Sequence, residues 1–354
     1  MKLLHICQTR LIYFRKIELC YLVFLVIPIW LQTSHVALAQ QSSLTSDANW
    51  KIASLSWSPD GTKIAVGGGT ESSECGLADS SVYAIRIVDA SSLSITKLLM
   101  GHTCDVISLD WNRDSSKLVS GSDDGTNRVW DTATGQLLNT TPPNTFGAKY
   151  SLSWNYDGTQ YAAVDSAGRS LEIRDANTGQ LLNSNTFLKE HITSVNWSPD
   201  GTKLLTGDTD GKITIWDAFS GRIISSLANQ HGGEVYLVAW SPDGTLFATY
   251  GTDKAIRVWN PLNDRQLIEI QQSNTSTKLA WATNDQLISS DSMNTLRVWD
   301  AKTGLQIESF QYRGDLLAIA ASPDGTRLAF GGAQKLYQSS EVTVVEIKTS
   351  TFTP

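Results

Sequence analysis

The stretch Gly101–Asp131, GHTCDVISLDWNRDSSKLVSGSDDGTNRVWD, decides how the rest of the chain reads. Between Trp111 and Asp131 its residues alternate apolar and polar in short runs broken by the Asp124-Gly125 turn. That alternation is the pattern of strands joined by hairpins, because successive side chains on a strand point to opposite faces.

Both landmarks recur. Trp57, Trp111, Trp154, Trp197 and Trp240 follow one another at steps of 54, 43, 43 and 43, and Trp281 comes 41 later. Each sits in a similar text, such as LSWSPDGTKIAV from Leu55, VNWSPDGTKLLT from Val195 and VAWSPDGTLFAT from Val238. A seventh copy, IAASPDGTRLAF from Ile319, has Ala321 at the Trp position. A second landmark stands 19 to 21 residues after the first in copies two to six, 32 after it in copy one and 25 in copy seven: Asp89, Asp131, Asp175, Asp217, Asn260, Asp300 and Glu346. A turn such as ATGQLL and one more short apolar run follow, so each copy holds four strands. Four short strands cannot bury both faces of one small sheet, so neighbouring copies must stack, and radial stacking of twisted sheets closes into a propeller. The expected fold is all-β, a seven-bladed β-propeller of four-stranded antiparallel blades that start near Lys51, Asp105, Ala148, His191, Glu234, Thr275 and Asp315. Of the 12 Trp, six fall in first strands and four in third strands, a regularity that points to packing between blades rather than to an aromatic ligand cage.

These motifs resemble the WD-repeat family from Lys51 to about Ile347: Gly101-His102, the strand ending at Ser122, Asp124-Gly125 and the VWD ending at Asp131. The resemblance implies a hydrogen-bonded network of His102, Ser120, Asp124 and Trp130 inside one blade, repeated by His231, Thr249, Asp253 and Trp259. In the fourth copy Thr206, Asp210 and Trp216 match while Leu188 takes the His place, so the propeller is degenerate. The family also implies that the last blade takes its outer strand from the start of the chain, here Gln40 to Asp47.

The first 39 residues differ from the rest. Lys2, Arg10, Arg15 and Lys16 precede an apolar run from Leu19 to Leu31, and Ala37-Leu38-Ala39 precedes Gln40. That is the layout of a secretory signal peptide cleaved after Ala39, leaving residues 40–354 as the exported propeller, periplasmic or secreted. The alternative is a membrane anchor at residues 19–31, although that run gives about 20 Å of helix against a hydrocarbon core of about 30 Å. Without residues 1–39 the chain holds 24 Lys and Arg against 34 Asp and Glu. An acidic body with no basic stripe lacks the electrostatic footprint of a nucleic-acid binder.

Reactive groups are scarce. Of five His, His5 and His35 lie in the first 39 residues and two belong to the implied networks, leaving His191. No nucleophile elbow, phosphate loop or His-Glu-x-x-His run occurs. Carboxylates are plentiful, but most repeat in the Ser-Pro-Asp-Gly turns and at third-strand ends. No enzyme, metal or cofactor is expected; a ligand-binding or ion-binding propeller and a carboxylate-based enzyme remain as alternatives. Outside the signal segment Cys75 and Cys104 are the one pair, and the meander brings their connections to the same face, so a disulfide is expected. The loops Gly69 to Ser81 and Ala333 to Ser340 carry extra residues on neighbouring blades one and seven. The same face has a central mouth ringed by Lys51, Asp105, Ala148, His191, Glu234, Thr275 and Asp315. By analogy with similar propellers, a protein partner would dock there on a chain that is monomeric by itself.

Overall fold

A computed structural model describes residues 42–45, 50–70, 75–76, 80–142, 151–164, 169–186, 191–312, 314–333 and 341–347. Residues 1–41 lie outside these, and with them the expected signal segment 1–39 and its alternative, an anchor at 19–31. Among the described residues no helix is long and apolar enough to cross a membrane.

Seven sheets of four strands each form the blades. In six of them the strands follow in chain order, each antiparallel to the next. The innermost strands are Trp50–Trp57, Val106–Trp111, Leu152–Trp154, Ile192–Trp197, Val235–Trp240, Ser276–Thr283 and Asp315–Ala321. The seventh sheet is closed by the N-terminal strand Ser42–Thr45, which pairs with Glu341–Glu346 in the register Ser42 to Val344 and Thr45 to Glu341. The ring is therefore fastened where the sequence places it. Pairing the two ends of the chain leaves no blade with an unpaired third strand.

Each blade is too thin to own a core, so the apolar clusters of the described residues lie between blades. Ala65, Ile85 and Ile87 of blade one pack with Val106, Leu109 and Trp111 of blade two. Leu205, Ile213 and Ile215 of blade four pack with Val235, Trp240 and Phe247 of blade five. First-strand tryptophans add a polar link: Trp111, Trp154 and Trp281 donate their indole N–H to Ser56, Asp110 and Ala239 carbonyls of the preceding blade, at 3.0, 2.8 and 3.0 Å. Tryptophan suits this place because one side chain fills the seam and reaches the neighbouring backbone. Blade seven, with Ala321 at that position, fills its seam with Tyr312 and Phe330, whose rings meet edge to face at 5.9 Å.

The repeated acids hold turns. Asp60 accepts from the Ser58 hydroxyl and the Thr62 N–H at 2.7 and 2.9 Å, and Asp200, Asp243 and Asp324 do the same in their blades. Asp131, Asp175, Asp217 and Asp300 accept from the Thr or Ser three residues on. The Asp208 carboxylate is used likewise, by the N–H groups of Asp210 and Lys212 at 3.0 and 2.9 Å. A carboxylate bonded to its own turn stabilises the hairpin and leaves few lone pairs for chemistry.

Candidate docking face at the channel mouth

The connections that enter each innermost strand and those between second and third strands share one face, and two hydrogen-bond networks anchor it. In blade two the Trp130 indole N–H donates to Ser120 Oγ at 2.8 Å, Ser120 lies 2.8 Å from His102 Nε2, and His102 Nδ1 lies 2.7 Å from Asp124. Burial pulls His102 below the ordinary imidazole range, which leaves it neutral with Nδ1–H facing Asp124. Blade five repeats the arrangement with Trp259, Thr249, His231 and Asp253 at 3.0, 2.8 and 2.8 Å. Burial raises the Asp253 carboxyl, but hydrogen bonds from His231 and Arg257 overcome it and bring the group down to about 2.

In blade four the Trp216 indole donates to Thr206 at 2.8 Å, while Asp210 is exposed and Leu188 lies outside the described residues. Blade six holds a variant that a search for His does not find. Gln272 Nε2 donates to Ser289 Oγ at 2.7 Å, and Trp299 donates to the same oxygen at 2.9 Å. Gln272 takes the imidazole's place through its amide.

The predicted rim positions meet different fates. Lys51 Nζ lies 2.8 Å from Asp105 Oδ2, and the Asp105 side chain is 3% exposed. Asp105 is therefore not a rim group: its charge is buried and neutralised by blade one, where Gly69 leaves room for its carboxylate and Gly67 lets Val106 approach. His191, Thr275 and Asp315 are exposed, Glu234 is half-buried, and Ala148 lies outside the described residues. Cys75 and Cys104 stand at disulfide distance, Cα to Cα 4.6 Å, with Cys75 exposed and Cys104 buried. Of the two enlarged loops, residues 71–74, 77–79 and 334–340 lie outside the described residues.

Sequence reasoning missed a second ring of positions. In six blades the innermost strand slips register two residues after the rim position, at Ala53, Ile107, Thr193, Tyr236, Thr277 and Leu317. A β-bulge of this kind leaves one residue unpaired and re-aims its side chain. Ile107, beside buried Val106, and Leu317, between buried Leu316 and Ala318, stay partly exposed, and Tyr236 is 37% exposed. These apolar groups stand beside the rim on the face that the networks stiffen. Further along the same strands, polar side chains stitch seams. Asp110 Oδ2 and Asn196 Oδ1 accept the backbone N–H of Trp154 and Trp240, each at 2.8 Å.

Known proteins share these repeats. A family described as WD domain, G-beta repeat matches residues 93–131, 182–217 and 221–260. The COMPASS component SWD3 of Saccharomyces cerevisiae is 29% identical over 198 residues, 54% of this chain and 58% of that protein. Eukaryotic translation initiation factor 3 subunit I of Culex quinquefasciatus is 21% identical over 70% of this chain and 65% of its own length. The chain thus spans less than two thirds of either relative. Its fold is similar to that of the Cps50 (Swd1) β-propeller domain of Myceliophteria thermophila, with a TM-score of 0.73 at 17% identity over 87% of this chain and 98% of that one. Three segments thus match WD repeats, and together with the remaining blades they complete one closed ring with a seven-bladed β-propeller fold.

Proposed function

We propose that the chain is an exported, non-enzymatic scaffold whose channel-mouth face holds a protein partner. The ring of bulges carries this reading. Each bulge gives up one ladder pairing, and six blades keep it at one place, where Ile107 and Leu317 are partly exposed and Tyr236 is exposed. Partly exposed apolar and aromatic groups on a rigid frame are what a protein surface can bury. The relatives support a protein partner, since SWD3 is named as a component of COMPASS and the other as a subunit of an initiation factor. The enlarged loops of blades one and seven would extend the contact. Export rests on the sequence of residues 1–39, and a Cys75 to Cys104 bond would suit the oxidising compartment that export implies.

The test is to tag the chain in its host, fractionate the cells and recover what copurifies. Ile107→Glu with Leu317→Glu should lose the partner, while Phe219→Ser, on the turn after the third strand of blade four, should keep it. Loss by both or by neither, with all variants folded, would move the contact elsewhere. A soluble exported chain beginning at Gln40, lighter by two hydrogens than its reduced form, would bear out cleavage and the disulfide. A full-length membrane-bound chain would contradict release.

A further inference from the structure

Position for position, Glu234 in blade five is the counterpart of Asp105 in blade two. Each stands six residues before its blade's first tryptophan, and each gives its backbone carbonyl to the second-to-third-strand turn, Asp105 to the Asp123 N–H and Glu234 to the Thr252 N–H, both at 2.9 Å. The previous blade supplies Lys51 to Asp105 at 2.8 Å. At the corresponding place before Glu234 it supplies His191, which is exposed, and among the described residues nothing hydrogen-bonds or ion-pairs with the Glu234 carboxylate. Partial burial by itself pushes that carboxyl above its usual range, with no cation offsetting it. Two residues on, the bulge at Tyr236 presents an aromatic ring that is 37% exposed, backed by the buried Tyr250 ring at 6.2 Å and 27°.

We propose that Glu234 and Tyr236 form a receptor for one guanidinium group, the side chain of an arginine in the segment that docks at the mouth. The arginine would do for Glu234 what Lys51 does for Asp105, while its flat cation lies against the Tyr236 face. A carboxylate accepts the guanidinium fork through two oxygens, and an aromatic face attracts a cation, so the pair selects arginine over lysine and over any neutral side chain. The tyrosine is held ready by its stack on Tyr250, so little freedom is lost on binding.

This rests on the docking reading, and the test separates the two. The probes are the peptide acetyl-Gly-Arg-Gly-amide and its citrulline analogue, which keeps the shape and lacks the charge, followed by NMR saturation transfer on the full folded chain. Wild type should bind the arginine peptide saturably and at least about tenfold more tightly than the citrulline one, in line with a charge-assisted pair. Glu234→Gln should remove that preference, Tyr236→Leu should weaken binding severalfold, and Asp285→Asn, an exposed acid on the opposite face, should leave it unchanged. Thermal unfolding of each variant, matched to wild type, excludes misfolding as the cause. Equal binding of both peptides, or binding indifferent to Glu234→Gln, would overturn the receptor. If the partner still required Ile107 and Leu317 in that event, the docking face would stand and the arginine site would fall.

Discussion

The seam between blades one and two and the seam between blades four and five start from the same strand register and end differently at the mouth. In the first, Lys51 neutralises Asp105, the Ser54 hydroxyl donates to the Val106 carbonyl at 2.9 Å, the Gly76 N–H donates to the Thr103 carbonyl at 2.7 Å, and two cysteines stand at disulfide distance. In the second, the Thr193 hydroxyl reaches the Val235 carbonyl, but among the described residues nothing pairs with the Glu234 carboxylate, and Tyr236 is exposed. Beneath both lie the same four-residue network and a first-strand tryptophan packed between the blades, Trp111 in one and Trp240 in the other. The frame is common and the mouth is variable, so function is to be sought where a position that one seam satisfies is left open in another.

The largest expected effect tests whether the frames are equivalent. Ser120→Ala in blade two and Thr249→Val in blade five each strip an indole N–H and a buried imidazole of their shared oxygen, and each should cost about 2–4 kcal/mol in chemical denaturation. A clear inequality would mean that the seams already differ below the mouth.

Next comes the closed seam itself. Lys51→Met leaves the Asp105 charge buried without a cation and should cost about 2–3 kcal/mol, largely restored by adding Asp105→Asn. Glu234→Gln in the open seam should change stability by less than about 0.5 kcal/mol. If Glu234→Gln proved as damaging as Lys51→Met, the open seam would be a structural feature in its own right.

A third, smaller effect concerns Asp110, which burial pushes up to about 7 against the pull of the Trp154 and Trp111 N–H groups. Its folded-state value lies above its unfolded value, so the fold favours the protonated acid and loses stability as pH rises from about 4 through 7. Asn196 fills the matching place with a neutral amide at the same 2.8 Å, so Asp110→Asn should keep the bond and gain about 1 kcal/mol at pH 8 with little change at pH 4. A difference between variant and wild type that does not vary with pH would contradict this. The smallest effect is expected from His191→Lys, which copies Lys51 into the open seam. It should add a few tenths of a kcal/mol and abolish binding of the arginine peptide.

The ring was legible because most copies carry a Trp, an Asp-Gly turn and a terminal Asp, and the positions recur even where the residue changes, as at Ala321, Asn260 and Glu346. The closing strand was legible through the resemblance to WD repeats, which implies that the last blade takes its outer strand from the start of the chain, as Ser42–Thr45 does. The bulges were not legible: six blades carry one at the same place, so they leave the repeat length unchanged, and spacing cannot reveal an irregularity shared by the repeats. Gln272 escaped because an amide can do the imidazole's job without resembling it. Asp105 read as a rim acid because a sequence does not show that Lys51 reaches its carboxylate where Gly69 leaves room for it.

The most direct test of the docking face is site-specific photo-crosslinking in the host, with the reactive group placed at Ile107 in one chain and at Phe219, 98% exposed on the turn after a third strand, in another. A single protein adduct from Ile107 and none from Phe219 is the expected result. Adducts from Phe219 alone would place the partner on the opposite face and contradict the account.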